Sequence, residues 1–209
     1  MRIRHFRVTL SDMKREDVRE YRMSARADAA ALTGDRILDA AVALFWEQPA
    51  NQLSLEDVAR RAEVSVRTVI RRFGGRDGLM AAAAARETER TELERDAPVG
   101  DVLAAVTVLI GHYERTGDRV LRMLTVEGDN ARLHVIADRG RSLHRDWCRT
   151  VFAPSLTGLT ALERKRRLAQ LVAVCDVSTW KLLRRDSGLS RAQTELAMVE
   201  LVRPLTQEV

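Results

Sequence analysis

Arg67, Thr68 and Arg71 stand at i, i+1 and i+4 in the stretch SVRTVIRRFGG, so on a helix they share one face. Two guanidinium groups and a hydroxyl on one face have a definite chemical use. A guanidinium grips two phosphate oxygens, or the O6 and N7 acceptors of guanine, through its paired donors. A threonine offers its methyl to a thymine methyl and its hydroxyl to a base edge or a phosphate. From Val58 to Arg76 the basic residues are Arg60, Arg61, Arg67, Arg71, Arg72 and Arg76, against Glu63 alone. A plain solvated arginine face has the same composition, and charge by itself leaves the two readings level. Catalysis has no candidate, because there is no nucleophile motif, no glycine-rich phosphate loop and no supported acid pair. His144 and Cys148 could share a helix face, yet two ligands fall short of the four of a structural zinc site. No metal and no cofactor is expected.

The elements that would position the arginine face can be read around it. Ser54 is a helix N-cap with Asp57 as its partner three residues on. Leu55, Val58, Ala59 and Ala62 then recur at i, i+3, i+4 and i+7. Ser65 caps a second short helix whose stripe is Val66, Val69, Ile70 and Phe73, closed by Gly74-Gly75. Two short amphipathic helices joined by a tight turn outline a helix-turn-helix. Periodicity lets Val66 and Ile70 face either the core or a duplex. Upstream, Ile37, Leu38, Ala41, Leu44 and Phe45 mark a bracing helix that starts at Thr33 or Gly34 and stops at Glu47-Gln48-Pro49, with Trp46 at its edge.

The segment GDRILDAAVALFWEQPANQLSLEDVARRAEVSVRTVIRRFGGRDGLMAAA resembles the N-terminal DNA-binding domain of the TetR (tetracycline-repressor) family of transcriptional regulators. The parts that carry the likeness are Arg36 to Phe45, Ser54 to Phe73, and the sequence from Phe73 to Leu79 that leads into a long fourth helix. The resemblance implies a recognition helix headed by Ser65 that presents Val66, Arg67, Thr68, Ile70 and Arg72 to bases, with Arg71 on the backbone. It also implies that Ser54 and Arg76 touch phosphates, and free N–H groups at a helix start favour anions independently. Two positions depart from the family pattern: Glu63 replaces the usual turn glycine, and Ile70 replaces the usual tyrosine.

The 209 residues suffice for one large core or two small ones. Two distant cysteines, no apolar run long enough for a membrane span and no signal-peptide pattern lead us to expect a cytoplasmic protein. Net charge is +5, with the basic residues concentrated in the stretch already described. Residues 1–32 read as a basic, mobile extension, either an arm that follows DNA or sequence preceding a true start at Met23. Residues 33–80 read as the DNA-binding domain and 81–209 as a helical regulatory and dimerisation domain.

In that second domain, VLAAVTVLI at 102–110 is apolar all round, as suits a bundle centre. Arg115-Thr116-Gly117-Asp118 reads as an exposed loop before a short helix from Arg119 to about Asp129. Arg132 to Phe152, Glu163 to Asp186, and a Ser190-capped helix to about Leu205 follow. His112, Tyr113, Met123, His134, His144, Trp147, Cys148 and Trp180 are the side chains suited to lining a ligand pocket, and six of them (His112, Tyr113, Met123, His144, Trp147 and Trp180) are our candidates. Taken singly, each such aromatic or Met residue is more often part of a core than of a pocket.

The expected fold is all-α: a three-helix helix-turn-helix domain joined by a long fourth helix to a helical ligand-binding bundle. The expected function is a repressor that binds a pseudo-palindromic operator in double-stranded DNA. It would dimerise with itself through 163–186 and 190–205 and answer an unidentified small-molecule effector. A basic architectural protein that coats DNA without sequence preference, and a small helical enzyme using the bundle as a cavity, remain the other classes.

Overall fold

A computed structural model describes residues 10–47, 53–129 and 131–207, and every regular element among them is helical. The chain divides into two compact units, Met1–Ala83 and Ala84–Val209. In the first unit, α1 (Leu10–Glu47) precedes α2 (Leu55–Arg61) and α3 (Val66–Phe73), and α4 (Arg76–Glu94) crosses from one unit into the next. Its core gathers Ile37, Ala40 and Ala41 of α1 with Leu53, Val58, Ala59, Ala62, Val69, Leu79 and Ala83. Ile37, Ala41, Val58, Ala59, Ala62 and Val69 come from the stripes read in the sequence, and burying them accounts for the stability of helices too short to persist alone.

The start of the first helix differs from the expectation. Instead of beginning at Thr33 or Gly34, α1 runs unbroken from Leu10. Thr33 does not cap: its hydroxyl donates to Ala29 O at 2.8 Å, the back-bond of a threonine inside a helix. The residues before it are rich in Ala, Arg, Glu, Met and Leu, all good helix formers, so Gly34 is not enough to stop the helix. Residues 1–9 of the expected extension, and the stop at Gln48-Pro49, lie outside the described residues.

In the second unit, α5 (Val102–Thr125), α6 (Ala131–Val151), α7 (Ala161–Val174), α8 (Val177–Lys181) and α9 (Arg191–Thr206) enclose one core. Helix α5 packs on α6, α8 and α9, and α7 packs on α6 and α9. Three expectations are corrected here. Residues 115–118 are not a loop, because α5 continues through them to Thr125. Gly117 is present for close packing: a Cβ there would stand 2.5 Å from the indole of Trp180, which is fully buried. Residues 163–186 are not one helix, because Asp176 caps a new start by accepting from Ser178 N–H at 2.8 Å, and a π-helical turn follows at 182–186. Finally, 102–110 is one-sided: Ala105, Val106, Leu109 and Ile110 are buried while Leu103 is exposed. No helix among the described residues is long and apolar enough to cross a membrane.

Candidate nucleic-acid interface

The two short helices are fixed by their caps. Ser54 Oγ accepts from Asp57 N–H at 3.1 Å and donates to the Asp57 carboxylate at 2.6 Å. That bond first, with Arg60 adding to it, holds the Asp57 carboxyl below the usual carboxylate range. Ser65 Oγ accepts from Thr68 N–H at 3.2 Å, and the two hydroxyls are bonded at 2.9 Å. At the other end Gly74, at φ 75°, donates to Ile70 O at 2.8 Å. Between the helices Glu63 takes φ 56°, a left-handed conformation that costs a side-chain-bearing residue about 1–2 kcal/mol. The strain is held by Glu63 N–H to Arg60 O at 3.2 Å and Val64 N–H to Ala59 O at 2.9 Å. At the junction with α4, a Cβ on Gly78 would lie 1.9 Å from the Phe73 carbonyl oxygen. A glycine at that position lets the first turn of α4, with half-buried Arg76 at its head, close behind α3.

The arginines separate into two groups. Arg60 pairs with Asp57, and Arg61 pairs with Glu47 through both nitrogens, one at 2.8 Å. Glu47, chiefly by hydrogen bonding, holds the Arg61 guanidinium above its ordinary value. That pair joins the ends of α1 and α2 and leaves Arg61 less free for another anion. Arg67 and Arg71 are exposed and, among the described residues, make no ion pair, with Thr68 half-buried on the same helix. Arg72 is exposed too, but its guanidinium lies over Gly34 of α1, where a Cβ would come within 2.3 Å of it. Val66, half-buried, packs against the core of its unit together with Phe73, while Ile70 is 46 % exposed. The stripe expected along α3 is thus Val66, Val69 and Phe73, and Ile70 sits off it. Ser54 already gives its hydroxyl proton to a carboxylate, so any anion reaching it there would meet Asp57 as well.

Five of the six pocket candidates are brought into the second unit's core in two groups. His112, Tyr113 and Trp180 form the first, with the Tyr113 and Trp180 ring centres 6.0 Å apart. Tyr113 donates to Cys175 O at 2.9 Å, and burial first of all raises its pKa. His112 Nδ1 is bonded to Glu94 at 3.0 Å. Burial pushes the His112 imidazole below its ordinary value, against the pull of Glu94. Burial opposes ionisation of Glu94, but His112 and Arg115 together hold it below the usual range. The second group is His144 and Trp147 of α6, stacked at 6.2 Å, beside the buried Cys148. A hydrogen bond with Cys175 is the main cause that lowers the Cys148 thiol to about 6, against burial. Met123 is half-buried on α5, and His134 is exposed on α6 beside Asp138 at 3.2 Å.

Sequence reasoning missed Arg95, which lies in this second group at the end of α4, 4 % exposed. It read only as one of several alternating charges before Pro98. Also missed were the pairs of Arg184 with Glu114 at 2.8 Å and Arg185 with Asp118 at 3.0 Å, which tie the π-helical turn to α5. Charged residues some 70 positions apart carry no local signal of pairing.

Residues 37–83, the stretch that builds this helix-turn-helix and its bracing helices, match the family model for bacterial regulatory proteins of the tetR family. That segment is similar to the DNA-binding part of those regulators. A crystal structure from Rhodococcus sp., described as a TetR-family transcriptional regulator, superimposes on 84% of this chain and 99% of its own with a TM-score of 0.61. At 16% identity that likeness speaks for the fold. No curated protein matches the sequence.

Proposed function

We propose that this protein is a TetR-family, ligand-responsive repressor that binds a pseudo-palindromic operator as a homodimer in the cytoplasm. The observation that carries the operator reading is the face of α3, where exposed Arg67 and Arg71 flank Thr68 with no internal ion pair among the described residues. In this reading Arg67, Thr68 and Ile70 read bases, and Arg71 and Arg76 hold phosphates. Val66, drawn towards the core, and Arg72, lying over α1, contribute less than the family pattern implies. Homodimerisation through 163–186 and 190–205 is supported by Leu182, Leu196 and Leu201, which stay exposed on segments whose other apolar residues close the unit's own core. A twofold dimer places its two recognition helices on successive half-sites. An effector in the second unit would favour a conformer unsuited to that spacing, with α4 as the continuous element available to carry the change.

Fluorescence anisotropy with DNA from upstream of the protein's own gene tests the reading. Arg67→Ala should weaken operator binding by about 1–3 kcal/mol and relax base preference, whereas Arg71→Ala should weaken all sequences alike and shallow the salt dependence by about one unit. Equal affinity for random DNA at physiological salt would replace the regulator by a non-specific coating protein. Leu196→Glu should convert the dimer to a monomer in sedimentation runs. A dimer unaffected by it would move the interface elsewhere.

A further inference from the structure

Arg95 follows the last turn of α4, where its backbone N–H reaches Thr91 O at 3.0 Å. Trp147 holds it at two points, one on the side chain and one on the backbone. The guanidinium carbon sits 4.3 Å from the indole ring centre, and Trp147 Nε1 donates to the Arg95 carbonyl at 2.7 Å. Its Nη2 is 2.8 Å from His144 Nδ1. A guanidinium can only donate, so Nδ1 must be the accepting lone pair and the ring proton sits on Nε2. That proton faces Val172 O at 3.1 Å. A histidine carries no negative charge, so His144 answers none of the arginine's.

No carboxylate answers it either. The neighbouring Glu94 is committed to His112 at 3.0 Å, Arg115 at 3.1 Å and Arg90 at 3.6 Å, and Arg95 makes no ion pair among the described residues. Its Nε is buried with no hydrogen-bond partner at all, which also means that the Cys148 thiol does not reach it. A charge that cannot be lost, taken out of water and left with an unanswered donor, is an arrangement that folded proteins avoid. The partial negative charge at the end of α4 offsets some of the charge but supplies no acceptor to Nε.

We propose that Arg95 is the anchor for an anionic effector, a small organic monocarboxylate with an apolar body. The inference rests on the effector-responsive reading given above and names the class of ligand. The open Nε takes one oxyanion oxygen, and a guanidinium with no carboxylate beside it is matched by a monoanion. The body must be apolar because the ring neighbours are His144 stacked on Trp147, and Phe152 set edge-on to Trp147 at 5.9 Å. A dianion such as sulfate would bring a second charge into this environment, and any inorganic anion lacks the apolar contact that offsets desolvation.

Calorimetry on the full chain decides, with benzoate, indole-3-acetate and octanoate as probes against benzamide, indole-3-acetamide and octanamide. At least one acid should bind roughly tenfold or more tightly than its amide, the range expected of a hydrogen bond to a charged group. The preference should vanish in Arg95→Met, which without any acid should melt no lower than the unaltered protein. If Arg95→Met fails to fold, Arg95→Lys replaces it: that variant keeps the charge, drops Nε, and should shrink the preference. Acids and amides binding alike, or a preference that survives both substitutions, overturns the proposal. Operator occupancy, read in parallel by anisotropy, separates the two layers. Acid binding that leaves DNA occupancy unchanged overturns the effector role and leaves the DNA-binding reading standing. Acid selectivity in a chain that binds no DNA supports the anion site and overturns the regulator reading.

Discussion

Single residues set the quality of the proposed DNA-facing surface. Glu63 holds a left-handed backbone that glycine adopts freely, so Glu63→Gly should relieve about 1–2 kcal/mol of strain. Part of that is lost again to the greater freedom of an unfolded glycine, about 0.5–1 kcal/mol. The net expectation is a gain of roughly 0.5–1 kcal/mol by urea denaturation of the first unit's transition. A loss instead would mean that the Glu63 side chain contributes more than its conformation costs. The departure itself was visible in the sequence, where a glutamate stands at a turn position that suits glycine. The direction of Arg72 was not, because it depends on a glycine 38 positions earlier on another helix.

At the scale of elements, caps and stripes were readable because they are local: Ser54, Ser65 and Ser190 all accept from the backbone three residues on. Tertiary packing overrode local signals elsewhere. Gly117, in a polar run, reads as a loop until the Trp180 ring is seen against it. The sign of a substitution there separates the two readings. In a loop or a free helix, Gly117→Ala would be neutral or gain up to about 1 kcal/mol from helix propensity. Against a rigid indole in a packed core it should cost about 1–3 kcal/mol, measured by chemical denaturation of the second unit. The break at Cys175–Asp176 was hidden for a related reason. Apolar periodicity runs through it, and only the Asp176 cap marks a new start.

At the scale of the whole molecule, the second unit carries a pH dependence of definite sign. Burial lowers the His112 pKa below 6.5, so the unfolded chain takes up this proton before the folded one does. Its contribution is complete above that value and is lost as pH falls through the folded pKa. Glu94, also lowered, acts in the same direction further down, through the carboxylate range. Stability of the second unit should therefore fall steadily from neutral pH towards 5, and His112→Gln should flatten the upper part of that fall in urea melts at fixed ionic strength. A profile unchanged by the substitution would mean that His112 titrates alike in both states. Composition and periodicity had shown an all-helical protein with a basic N-terminal part. They could not show which titratable groups folding would bury together, because Glu94, His112 and Arg115 meet only across a helix pair.

Gly34 is a parking bay for a cation. While the guanidinium of Arg72 rests in it, α3 offers the duplex one positive charge fewer than its sequence contains. Alanine at 34 would evict the flexible end of that side chain at small cost and would suit the middle of α1 better than glycine. The evicted arginine would gain a phosphate, and the slope of log affinity against log salt would steepen by about 0.9. A glycine on another helix would then set how strongly the protein depends on ionic strength.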